Sequence, residues 1–193
     1  YGMWASEPVP FDPMEKALRK LFDNSGNQIQ TSEYEIVKEY PLSGKPPMMT
    51  HIHSNSKETI IACKGAPEGI LRICELDKNQ VEELNELVRS MASKGLRVLG
   101  VAKAEHATLP YPEDQTDFDW KFMGLIGLSD PPKNNISEVI KSFHESGIEV
   151  KMITGDYPVT AVSIASKVGI RNPETFLTGE QIIGMSHDDL LKT

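Results

Sequence analysis

Apolar residues recur at helical spacing at Met14, Ala17, Leu18 and Leu21, and Asp12-Pro13 just ahead supplies a side-chain cap and a residue suited to the first turn. A helix is therefore predicted from Pro13 to the Asn24-Ser25-Gly26-Asn27 stop, after an irregular lead-in over Ala5 to Pro10. The period then changes to two. Tyr34, Ile36, Lys38 and Tyr40 alternate with Glu35, Val37 and Glu39, which predicts a strand that the run Leu42-Ser43-Gly44-Lys45-Pro46-Pro47 breaks. Met48 to Ser54 and Thr59 to Cys63 are predicted to pair as a hairpin across Asn55-Ser56-Lys57. A helix capped by Asn79 or Asp77 follows from Gln80 to about Ser93, burying Val81, Leu84, Leu87, Val88 and Met91 and ending at Gly95.

The remaining pattern alternates strand and helix. Leu96 to Ala102 is a predicted strand, and Glu105 to Trp120, polar with Pro110 and Pro112, is a surface loop or connection. Phe122 to Leu128 is a continuous apolar run of the kind buried on both faces of an α/β sheet. Beyond it come a helix from about Asn135 to Ser146 with Ile136, Val139, Ile140 and Phe143 inward, a strand from Ile148 to Ile153, and a helix from Pro158 to Val168 stopped by Gly169. Thr175 to Thr178 gives a short strand, and helical turns complete the chain.

One junction carries candidate chemistry. The run Thr59-Ile60-Ile61-Ala62-Cys63 ends on Lys64-Gly65-Ala66-Pro67-Glu68, where Pro67 suits the first position of a helix that buries Ile70, Leu71 and Cys74. A cation beside glycine, with helix N–H groups just beyond, can hold an anion; a lysine capping a strand edge is the plainer alternative.

Composition narrows the classes. The 193 residues, 39% hydrophobic and 25% charged, fit one domain or two small ones of a globular protein. A net charge of -8 argues against nucleic-acid and anionic-membrane surfaces, so any basic site must be local. Cys63 and Cys74 each lie in an apolar stretch and read as buried thiols of a reducing compartment. No apolar run approaches the roughly 18 to 20 residues that cross a bilayer, and no leader is evident, so the polypeptide is expected to be soluble by itself. With Tyr1 first and no stop to its last helix, it reads as a piece of something longer.

Three motifs in order resolve the junction further. Lys64-Gly65-Ala66-Pro67-Glu68, Asp130-Pro131-Pro132-Lys133 and Met152-Ile153-Thr154-Gly155-Asp156 together resemble the nucleotide-domain, hinge and phosphate-site signatures of P-type cation-transporting ATPases. The resemblance runs from about Phe11 to about Ile170 and implies a fold of mixed α/β and α+β class. An antiparallel sheet with flanking helices would form a nucleotide-binding domain over residues 1–118. An incomplete haloacid-dehalogenase-like β/α region would form part of a phosphorylation domain over 119–193.

The resemblance also implies roles. Glu15 would offer a carboxylate to the adenine amino group, Tyr40 would stack on adenine, Met49 would stand for the methionine of the same motif, and Lys64, Gly65 and Arg97 would border the phosphates. From the residues alone, Glu15 can equally stabilise its helix dipole, Tyr40 can be packing, and Arg97 can pair with a neighbouring carboxylate. Asp130, Thr154, Gly155 and Asp156 would complete a phosphate and Mg²⁺ site, or form a strand stop and a helix cap. The family's basic stretch ahead of Met49 is reduced here to Lys45. His51 and His53 share a strand face, but no third ligand is evident in the sequence, so no metal site is assigned.

The implied cofactors are ATP and Mg²⁺; the implied partners are ATP and the transmembrane and actuator domains of one parent polypeptide, with this chain on the cytoplasmic side. Neither an aspartate-lysine-threonine-glycine motif nor a glycine-aspartate-glycine-containing one occurs, so the chain is expected to bind ATP without turning it over. The alternatives are a haloacid-dehalogenase-type phosphatase, which needs a nucleophilic aspartate motif that Asp12 lacks, and a non-catalytic regulatory module. The heavy-metal subgroup is disfavoured because its histidine-proline signature is missing.

Overall fold

The computed structural model describes residues 1–26, 31–44, 47–106 and 109–190. Five strands, β1 (Glu35–Ser43), β2 (Met48–Ser54), β3 (Thr59–Gly65), β4 (Leu96–Ala104) and β5 (Trp120–Ser129), form one antiparallel sheet in that order. The helices are α1 (Pro13–Asn24), α2 (Pro67–Ile73), α3 (Lys78–Ser93), α4 (Ile136–Glu145), α5 (Pro158–Val168), α6 (Gly179–Gly184) and α7 (His187–Leu190). The contacts divide the chain into two compact units, Tyr1–Arg89 with Val98–Leu128, and Ser90–Arg97 with Ser129–Thr193. None of the described helices is long and apolar enough to cross a membrane.

In the first unit the strand period sorts side chains onto two faces. The register Tyr40↔Thr50↔Cys63↔Ala102 defines one face; Glu39↔His51↔Ala62 and Met49↔Lys64↔Val101 define the other. The first face packs a core of Tyr40, Ile52, Ile61, Cys63, Ile70, Phe118 and Trp120. Gly100 lets α2 sit directly on the sheet, because a Cβ there would meet the Ile70 Cβ at 2.8 Å. The second face is covered by α1 and by residues 1–10. That lead-in is irregular, as its composition predicts, yet Met3, Trp4, Ala5 and Ser6 are buried and Trp4 packs on Phe22, Tyr34 and His53.

Local signals behave as their chemistry dictates. The Asp12 carboxylate accepts from the Met14 and Glu15 amides at 2.8 and 3.0 Å, with Pro13 at the first turn of α1. Asn55 Oδ1 accepts from the Lys57 and Glu58 amides and closes the β2–β3 hairpin. Asp77 and Gln80 cap α3 reciprocally, each side chain accepting from the other's amide at 2.9 Å. Gly95, Gly147 and Gly169 adopt positive φ at helix ends.

The structure corrects four local expectations. β1 continues through Pro41 to Ser43, which an edge strand tolerates where its register shifts between Tyr40 and Ser43. Trp120–Ser129 is half-exposed with alternating burial, because it lies at the sheet edge beside β4 rather than between two strands. Leu21, Leu87 and Phe143, placed on buried faces by periodicity, are exposed. Residues 148–153 and 175–178 form no strand, since none of the described strands lies alongside to pair with them, and Thr178 instead caps α6 through a reciprocal bond with Gln181.

In the second unit α4 packs on α5, burying Ile140, Ala165 and Val168. The chain at the end of α3 is tied to α5 by polar bonds: Thr160 Oγ1 donates to the Leu96 carbonyl at 3.1 Å, Ser163 Oγ to the Ser93 carbonyl at 3.1 Å, and Lys167 Nζ to the Lys94 carbonyl at 2.8 Å.

Two outcomes test this packing. Gly100→Ala is expected to lower stability by about 1–3 kcal/mol through overpacking against Ile70, read as a lower urea midpoint at unchanged slope. Burial pushes the thiols of Cys63 and Cys74 from 9.0 up to about 12 and about 11. Both should resist alkylation at pH 8 in the folded chain and react once it is unfolded. Because ionisation is disfavoured only in the folded state, their contribution to stability is full below pH 9.0 and is lost as pH rises from there towards the folded values.

Candidate nucleotide site

Lys64 sits at the end of β3, one residue before Gly65 and three before α2 begins. Strand alternation turns it away from the Cys63 core and towards α1. Its ammonium lies 2.7 Å from Glu15 Oε1 and donates to Ser6 Oγ, also at 2.7 Å. Both ionic residues are only 4% exposed, so this is a buried pair rather than a surface one. The Glu7 amide donates to the same Glu15 oxygen at 3.2 Å, drawing the lead-in across the pair. The other carboxylate oxygen, Glu15 Oε2, is buried with no hydrogen-bond partner. A buried acceptor without a donor is costly, which makes it a place for a ligand N–H.

Met49 lies opposite Lys64 in the β2–β3 register and is half-buried on the same face. Gly65 is fixed by sterics, since a Cβ would stand 2.6 Å from the Pro47 carbonyl oxygen and 2.7 Å from the Met48 Cβ. Glu15, Met49, Lys64 and Gly65 are thus gathered at one end of the sheet. Tyr40 is not among them. Its register with Thr50 and Cys63 puts the ring on the opposite face, where its hydroxyl donates to the Pro112 carbonyl at 2.5 Å and its ring meets Phe118 edge-on at 5.8 Å. A residue one place off in strand phase cannot reach the other face. Lys45 falls outside the described residues.

Arg97, Thr154, Gly155 and Asp156 belong to the second unit. Thr154 Oγ1 donates to Asp156 Oδ2 at 2.8 Å and accepts from the Asp156 amide at 3.0 Å. Arg97 Nε lies 3.6 Å from Asp156 Oδ1. The Arg97 side chain is exposed, so the guanidinium reaches water as well as the Asp156 carboxylate. Asp156 does not cap α5: the cap position is Tyr157, with Pro158 at the first turn and no side-chain bond. Gly155 is exposed with open space around it, and Asp130 is exposed just past β5.

Sequence reasoning missed Ser6, because nothing in a polar, irregular lead-in marks one hydroxyl as the partner of a lysine 58 residues away. It also missed the surroundings of the two histidines. His53 is a buried core residue whose Nε2 donates to the Trp4 carbonyl at 2.7 Å, its pKa lowered chiefly by burial. An open groove lined by Glu33, Glu35, Val37, Ser54 and Lys57 lies at the other end of β1 and β2 and includes none of the Lys64 group.

Residues 11–135 match the family model described as P-type ATPase, cytoplasmic domain N. The chain belongs to the P-type ATPases. It is 35% identical over 198 residues to calcium-transporting ATPase 1 of Saccharomyces cerevisiae, covering 93% of this chain and 21% of that protein. It is 31% identical over 195 residues to sodium/potassium exporting P-type ATPase 1 of the same yeast, covering 83% and 18%, and 35% identical over 182 residues to cation-transporting ATPase pma1 of Synechocystis, covering 86% and 19%. The chain thus spans about a fifth of the length of these relatives.

The buried pair yields a stability prediction. Lys64→Met leaves the Glu15 carboxylate buried without its cation and should cost about 3–5 kcal/mol, measured by urea denaturation. The double variant Lys64→Met with Glu15→Leu should recover most of that loss.

Proposed function

We propose that the first unit is the ATP-binding domain of a cation-transporting P-type ATPase, with adenine and the ribose-phosphate stem on the sheet face that carries Glu15, Met49 and Lys64. The observation that carries the reading is the orphaned Glu15 Oε2 beside the Lys64 ammonium. An exocyclic amino group would satisfy that acceptor, whereas the carbonyl at the same position of guanine would face it as a second acceptor. Adenine should therefore be preferred. Lys64 supplies positive charge to the polyanion, and Met49 an apolar wall. Since Ser6 and Glu7 lie over the pair, nucleotide entry requires the lead-in to yield, which favours modest affinity. Tyr40 stays in the opposite core and contributes by holding the sheet.

In this reading the second unit is part of a haloacid-dehalogenase-like phosphorylation domain, and Asp130, Thr154 and Asp156 offer the hard oxygen donors that suit phosphate-bound Mg²⁺. Arg97 neutralises Asp156 and positions it. Phosphoryl transfer to an aspartate, and the ion transport coupled to it, belong to the intact pump. The chain itself binds ATP and does not hydrolyse it.

The test is calorimetric titration with ATP and with GTP of the wild-type chain and of the Lys64→Met, Glu15→Leu double variant, with the fold of each verified by circular dichroism. Weak binding that prefers ATP and disappears in the folded double variant is the expected result. No binding by the wild type up to millimolar ATP, or equal binding by both chains, would overturn the reading.

A further inference from the structure

A second cluster on the same sheet face lies beside the Lys64 pair, which uses none of its side chains. His51 is fully buried, and its Nδ1 lies 3.1 Å from the Ser6 carbonyl oxygen. A carbonyl only accepts, so Nδ1 is the donor in that bond, which leaves Nε2 as the ring atom that can take a ligand. That nitrogen is buried and has no hydrogen-bond partner. Glu39 Oε1 is 3.9 Å from it, and Glu7, Glu39 and His51 each offer one ligand atom, the three lying within 4.8 Å of one another. A metal ion there would give the unpartnered Nε2 a bond and both carboxylates an opposite charge.

We propose that Glu7, Glu39 and His51 form a binding site for a divalent transition-metal ion of the Zn²⁺ type, with one imidazole nitrogen, two carboxylate oxygens and water as the remaining ligands. The chemistry of the donors selects the ion. Imidazole suits Zn²⁺ and its first-row neighbours, whereas Mg²⁺ takes oxygen donors and keeps its water. The bond from His51 Nδ1 to a backbone carbonyl is the outer-shell contact that metal-binding histidines use to fix ring orientation and tautomer.

Zinc bonds of about 2.0–2.2 Å require the donors to draw closer than they stand. The two glutamates can supply that movement, because Glu39 is exposed and Glu7 half-exposed, while the ring is held. The cysteines do not compete: burial keeps both thiols protonated at neutral pH, and they lie on the opposite side of the sheet, in the Trp120 core. His53, the histidine sharing the strand face, has its Nε2 occupied by the Trp4 carbonyl.

The experiment is titration of the metal-free chain, without nucleotide, with ZnCl₂, and with CoCl₂ to follow visible absorption. One equivalent of Zn²⁺ should bind, and a tenfold excess of MgCl₂ over ZnCl₂, a ratio of about 10, should not displace it. Glu39→Gln and His51→Gln should each weaken Zn²⁺ binding by about tenfold or more. In the wild type the His51 Nε2 resonance should shift on adding Zn²⁺ while the His53 resonances stay in place. His51→Gln alters a buried position, so Glu39→Gln, on the exposed side, keeps the test decisive if the histidine variant does not fold. Equal Zn²⁺ affinity in the wild type and in Glu39→Gln, displacement by Mg²⁺, or a Zn²⁺ complex that leaves the His51 resonance unmoved would overturn the proposal.

Discussion

The first unit depends on the removal of one ammonium group from water. Lys64, at the end of a central strand, is nearly inaccessible, and such a charge persists only if opposite charge and hydrogen bonds replace its hydration. Glu15 supplies the charge and Ser6 the hydroxyl. Meeting that requirement fixes three separate pieces of chain: α1 must present its first turn to the sheet, the lead-in must cross the face at Ser6 and Glu7, and β3 must end where it does. Apolar burial elsewhere would tolerate many arrangements. The ion pair tolerates few.

The sheet separates two tasks by strand phase. One face is a continuous apolar core in which Phe118 meets both Tyr40 and Trp120 edge-on and α2 lies tight against Gly100. The other face carries nearly all the chemistry: the Lys64 pair, Met49, and the group of Glu7, Glu39 and His51. Ser6 joins these two polar groups, its hydroxyl bonded to Lys64 and its carbonyl facing His51. A sheet that is dry on one side and polar but enclosed on the other is a suitable platform for a charged ligand, because electrostatic contacts there are weakly screened.

In the second unit, residues 148–153 form no strand, and a short polar network lies just beyond them. Thr154 and Asp156 bond to one another, and Arg97 neutralises the carboxylate. Without a strand alongside, residues 148–153 expose their apolar side chains, Ile153 almost completely. Hydrogen-bonding partners, not propensity, decide whether such a run becomes a strand.

Local physics was legible in the residues themselves. Caps such as Asp12 and Asp77, the glycine stops at Gly95 and Gly169, the Asn55 hairpin and the existence of the first four strands follow from bonds between near neighbours and from simple periodicity. The motif around Lys64 likewise reported family membership, and its position before a proline-initiated helix. Tertiary structure decided what needed distant partners. Tyr40 and Lys64 fall on opposite faces because a register of β1, β2 and β3 sets their phase, and the sequence of one strand carries no record of the next strand's alignment. Ser6, Glu7 and Glu39 acquire meaning only when the lead-in lies across the sheet. The pairing of Arg97 with Asp156 was one carboxylate among 28 acidic residues until the chain was folded. Spacing reveals what a helix or strand will present; only the assembled faces determine which charges meet.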